Sequence, residues 1–131
     1  TVRVNSWNSW DSAQVNCTEG TIYWQNGTLK GIQVSANNMI LEDQQNAYYL
    51  VYSESVNVTI LDDLGDATSD DVIWNVNGVP RGGSSLVTRI ITENSIIFLR
   101  VRLSPDYCWR EKNITITMQS SHEKKRGNSR I

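Results

Sequence analysis

The sequence predicts an all-β domain built as an antiparallel β-sandwich. Three observations carry that expectation. Short β-branched and aromatic runs alternate with Asn, Gly, Asp and Ser clusters, the pattern of strands separated by turns. No segment combines a 3.6-residue apolar period with helix caps. The chain has 131 residues and 39% hydrophobic content, which suits one globular domain with its own core. Strands are expected over 13–18, 21–26, 38–42, 47–61, 71–77, 85–92, 95–103 and 112–119. Asn26-Gly27 and Asn77-Gly78 are turn signals, because both residue types tolerate positive φ. Arg81-Gly82-Gly83-Ser84-Ser85 reads as a loop by composition. Residues 1–12 are left to an N-terminal extension or stalk, 13–119 form the sandwich, and 120–131 form a basic tail with the cluster Lys124-Lys125-Arg126.

Four Asn-x-Thr sequons stand at Asn16, Asn26, Asn57 and Asn113, and together they predict a glycoprotein of the secretory route. The two cysteines, Cys17 and Cys108, suit one intramolecular disulfide in an oxidising compartment. No apolar run reaches membrane-spanning length and no signal-peptide pattern opens the chain. The expectation is therefore a secreted domain or an ectodomain separated from its anchor, with no membrane insertion by this segment. Net charge is −2, but residues 1–71 carry ten acids against two bases, and residues 72–131 carry four acids against ten bases. That asymmetry is read as a solvated acidic loop plus a basic tail, with complementarity between subunits as the alternative.

The chain offers little material for catalysis. Its single histidine, His122, lies in the tail, so a histidine-based triad or metal site has no components. No Gly-rich phosphate loop is present. The aspartates from Asp62 to Asp71 lack the alternation and closing glutamate of a calcium loop, so no metal or other cofactor is expected. Arg100, Arg102, Arg110 and Lys112 near Phe98 and Trp109 are too few for a nucleic-acid interface. A non-enzymatic binding protein is the expectation.

Between Tyr23 and Ile60 the order of motifs resembles the first half of a tumour necrosis factor (TNF) homology domain. Tyr23-Trp24 precedes a glycine turn, Met39-Ile40-Leu41 forms a short strand, and Ala47-Tyr48-Tyr49-Leu50-Val51-Tyr52-Ser53 is similar to the family's Gly-x-Tyr-x-x-Tyr-Ser strand. Asp71–Val76, Leu86–Ile91, Ser95–Val101 and Asn113–Met118 follow in the order of its later strands, and the style is closest to divergent T-cell costimulatory ligands. Ala47 stands where the family has glycine, and Lys112-Asn113 replaces its aromatic-Gly pair. The resemblance implies a jelly-roll sandwich, a homotrimer, and a cysteine-rich receptor ectodomain as partner, with signalling by clustering. It implies receptor contact through Asp62, Asp63, Asp66, Arg81, Trp109 and Arg110. It also implies a subunit interface through Tyr49, Val51 and Phe98, with Tyr48, Leu50 and Tyr52 turned to the core. The alternative is an immunoglobulin-like recognition or adhesion domain. There Val56–Ile60, Trp74 and Asp106-Tyr107-Cys108 imitate the second strand, the core Trp and the Tyr-Cys strand.

Overall fold

A computed structural model of the chain describes residues 7–11, 17, 20–24, 29–82 and 85–119. Nine strands appear among them: β1 Ile32–Ala36, β2 Met39–Leu41, β3 Tyr48–Val51, β4 Val56–Ile60, β5 Val72–Val76, β6 Val79–Arg81, β7 Thr88–Ile91, β8 Ser95–Val101 and β9 Arg110–Met118. No described residue is helical, and no described helix is long and apolar enough to cross a membrane. The strands form a four-stranded sheet, β2-β1-β4-β7, and a five-stranded sheet, β3-β9-β8-β5-β6. Every neighbouring pair is antiparallel except β3 and β9, which run parallel. The architecture is an all-β sandwich.

Alternation along each strand explains the packing. In β1, Ile32, Val34 and Ala36 are buried while Gln33 and Ser35 stand between them. β4, β5 and β8 repeat the pattern with Val56, Val58 and Ile60, with Val72, Trp74 and Val76, and with Ile97, Leu99 and Val101. These inner faces meet in one core. Trp74 sits in its centre and its indole Nε1 donates to the Leu86 carbonyl at 3.0 Å, fixing the approach to β7.

Two tight hairpins close by the same means. Asn77 and Gly78 both take positive φ between β5 and β6, as the sequence predicts, and Asn37 and Asn38 do the same between β1 and β2. The second turn has no glycine, which is why the β1–β2 hairpin escapes the sequence reading. The expected strand 47–61 is two strands. The polar stretch Tyr52–Ser55 carries the chain from the five-stranded sheet to the four-stranded one, so β3 and β4 lie in different layers.

Residues 7–11, assigned by sequence to the extension, pack onto the sandwich. Asn8 bridges Ile32, Trp10 belongs to the core, and Asp11 binds Lys112 Nζ at 3.0 Å. Of the expected strand 21–26, only Ile22 pairs, in a single parallel bridge to Tyr107. Most of the expected strand 13–18, the Asn26-Gly27 turn, Asn16, Asn26, Gly83-Ser84 and the tail from residue 120 lie outside the described residues. Cys17 and Cys108 form the disulfide, closing a sequence separation of 91.

Candidate functional site

At one end of the sandwich, next to the Cys17–Cys108 link, the chain forms a cleft of about 370 Å³. Ile22, Tyr23 and Trp24 line one side, Leu103 and Tyr107 another, and Leu29, Asp62 and Asp63 complete it. The bridge between Ile22 and Tyr107 holds the first two sides together, reinforced by Cys108 N donating to the Ile22 carbonyl at 2.8 Å. Trp24 is buried, and its Nε1 donates to the Cys108 carbonyl at 3.2 Å. Tyr23, by contrast, is 65% exposed, and Ile22 is exposed beside it. A large aromatic left in solvent against a concave, partly apolar wall is the chemistry of a binding site rather than of a core.

The acidic floor divides into two roles. Asp62 is buried and is committed to structure. Its Oδ2 accepts from Trp10 Nε1 at 2.7 Å and from Gly31 N at 2.8 Å, and its Oδ1 accepts from Lys30 N at 2.8 Å. Gly31 has φ +109°, and a Cβ there would lie 1.8 Å from the Asn8 carbonyl oxygen, so only glycine fits this junction. Asp63 is exposed, and its Oδ1 accepts from Gly65 N at 3.0 Å in the first turn of the acidic loop. Asp66 and Asp70 are exposed further along the same loop, outside the residues that line the cleft.

Arg110 lies behind this floor. Burial pushes its guanidinium below its ordinary pKa, while the nearby charge of Asp62 and the Tyr23 phenol work in the opposite direction. The structure therefore brings Asp62, Asp63 and Arg110 to one end of the sandwich. Of the three only Asp63 is exposed, because Asp62 and Arg110 are buried.

The other expected contact residues lie elsewhere. Arg81 is on edge strand β6, paired with Trp74. Trp109 is only 3% exposed, and the guanidinium carbons of Arg102 and Arg100 lie 4.3 and 4.5 Å from its ring centroid. Arg102 is held by Asp71 at 2.8 Å and Arg100 by Glu111 at 3.0 Å, so the arginines form a fixed cover over the indole. Trp109 is thus a packed structural residue and not an exposed anchor.

The expected subunit-interface residues need a correction. Tyr49, at 2% exposed, and Val51 face the core of the sandwich, while Tyr48 and Leu50 take the outer face. Asn8 Nδ2 donates to the Tyr49 hydroxyl, which gives the buried phenol its polar partner. The faces are reversed because both sides of this strand are apolar, and the parallel register against β9 decides which one turns inward. Phe98 does stand on an outer face, half-buried on β8 opposite Asn113 of β9.

Sequence reasoning missed Ile22, Tyr23, Leu29, Leu103 and Tyr107 as site residues. The available signal was the cysteine pairing, since Tyr107 adjoins Cys108 and any segment paired with it shares the pinned end of the domain. No protein-family model matches the sequence, and comparison with curated proteins and with solved structures finds no match. The described residues contain no cluster of His, Cys, Asp and Glu suited to a metal ion.

Proposed function

We propose that the chain is an extracellular recognition domain of immunoglobulin-like design, and that the end cleft binds a partner protein through a basic side chain. The exposed Tyr23 beside the Asp63 carboxylate carries this reading. An aromatic face next to a negative group suits an arginine or lysine, which gains a cation–π contact and an ion pair at once. The exposed acids of the loop that continues from Asp63 to Asp70 complement a positively charged partner and speed encounter with it.

The strand order supports the immunoglobulin-like design over the jelly roll. β1, β4 and β7 share one sheet and β5, β8 and β9 the other, which follows the order of that fold's first, second and fifth strands against its third, sixth and seventh. The buried Trp74 on β5 falls at the position of its core Trp, and Val56–Ile60 forms its second strand. A jelly roll is antiparallel throughout, whereas β3 and β9 are parallel. The disulfide departs from the immunoglobulin pattern, since Cys17 and Cys108 lie outside the named strands. Burial of Tyr49 and Val51 within the protomer removes their part in the argument for a trimeric TNF-like assembly.

Two measurements test the proposal. Sedimentation at micromolar concentration should give a monomer, and a trimer would restore the TNF-like reading. A binding screen against cell-surface ectodomains should yield a partner whose affinity falls at least tenfold with Tyr23→Ala and with Asp63→Lys. A partner bound equally well by both variants would place the site elsewhere. Protein from its native source should carry N-glycans, and a chain without any would overturn the extracellular assignment.

A further inference from the structure

Both described sequons sit at the middle of a sheet face, each among solvent-facing apolar side chains. On the four-stranded sheet, one row of register partners crosses all four strands: Ile40, Ser35, Asn57 and Ile90. Ile40 is 50% exposed and Ile90 63% exposed, so the asparagine stands between two uncovered aliphatic residues with only a serine intervening. On the five-stranded sheet, Asn113 is the direct partner of Phe98, and Ile96, 63% exposed, is its diagonal neighbour beside Thr115. Direct partners on one face have Cβ atoms about 5 Å apart and diagonal ones about 7 Å. A sugar ring is about that size, so the first residues of a glycan on either asparagine fall on these side chains.

We infer that N-linked glycans on Asn57 and Asn113 lie flat on the two sheet faces, covering Ile90 and Ile40 on one and Phe98 and Ile96 on the other. In forming each link, the Asn Nδ2 bonds to C1 of the sugar on a lipid-linked oligosaccharide pyrophosphate, and the lipid pyrophosphate and a proton depart. The apolar CH face of the first N-acetylglucosamine then packs on the Phe98 ring or the Ile90 branch, while its hydroxyls stay in water. An edge of bare isoleucine on an extracellular sheet invites association with other strands, and a glycan removes that hazard. The same arrangement bars a partner from either sheet face. Neither Asn57 nor Asn113 lines the end cleft.

This inference rests on the extracellular reading, and its test is separable from that reading. The chain is secreted from mammalian cells behind a cleavable leader, which exposes the sequons to the glycosylation machinery whatever the native destination. Peptide mass spectrometry should find both asparagines occupied. Thermal unfolding is then measured for the glycoprotein, for Asn57→Gln and Asn113→Gln, for Ile90→Thr and Phe98→Thr, and for each matched pair. Loss of either glycan should lower Tm by roughly 3 °C in the parent and leave it unchanged when the facing apolar residue is already replaced. Trimming each glycan to a single N-acetylglucosamine should preserve most of the effect. Unoccupied sequons, or glycan and side-chain effects that simply add, would overturn the inference.

Discussion

Asp62→Ala is expected to cost about 3–5 kcal/mol of folding stability. The magnitude follows from what the carboxylate holds. Three N–H donors end on it: the Trp10 indole, the Gly31 amide and the Lys30 amide, at 2.7, 2.8 and 2.8 Å. The first two bonds are buried, so alanine leaves those donors without water or protein partners, at about 1–3 kcal/mol each. The Lys30 amide is only partly buried and regains a water, which removes most of its share. Arg110 also loses the charge that offsets its burial, adding to the loss. Trp10 stacks edge-on against Trp24 with ring centroids 6.0 Å apart, so loosening Trp10 reaches the cleft wall. Urea unfolding followed by tryptophan fluorescence measures the change. Asp63→Ala serves as the control and should fall within about 0.5 kcal/mol of the parent. A loss below about 1 kcal/mol for Asp62→Ala would refute the structural assignment of this carboxylate and return it to the candidates for partner contact.

Tyr49→Ala should destabilise the monomer by about 3–5 kcal/mol as a buried aromatic and leave the sedimentation coefficient of the surviving folded protein unchanged; a change of association state with intact folding would contradict its place in the core. Replacing Cys17 and Cys108 with serine should cost on the order of 4 kcal/mol in the chain-entropy account, read from the shift in urea midpoint. Asp71 provides a pH test. Burial opposes its charge, but the Thr68 backbone N–H and the Arg102 guanidinium outweigh that and hold its carboxyl below the ordinary value of 3.8. Its folded pKa is depressed, so its contribution is present above pH 3.8 and is lost as pH falls through the lower folded value. Asp71→Asn should therefore flatten the acid limb of the stability curve below about pH 4, and an unchanged limb would show that the pair contributes nothing there.

The sandwich class, the disulfide and most strands were legible because they depend on local alternation and on a cysteine count of two. The choice of inner face at Tyr48-Tyr49 was not, because alternation only says that the two rings oppose each other. Which one is core depends on a parallel partner 67 residues away, beyond any local signal. β1 was missed although Ile32, Val34 and Ala36 alternate with Gln33 and Ser35, since Asn37-Asn38 does not carry the glycine that marks a tight hairpin. Asp62 was legible as an acidic residue of a loop and illegible as an acceptor for Trp10, because the bond spans 52 residues. Trp109 shows the same limit: its neighbours Arg100 and Arg102 are close in sequence, but only the hairpin register lays them over the ring.

The position of the disulfide also determines how the domain answers mechanical load. Tension entering on the N-terminal side of Cys17 crosses the sulfur bridge to Cys108 and leaves through β9, so residues 18 to 107 carry none of it. β9 is already extended, so that part of the path has little length to give. Oxidised, the bridge withholds the chain between the two cysteines from the pull. Reduced, the same pull must strip strand after strand and can release on the order of 300 Å of chain. Force spectroscopy on the two redox forms reads the difference directly, and equal contour gains would mean that the bridge does not lie in the load path.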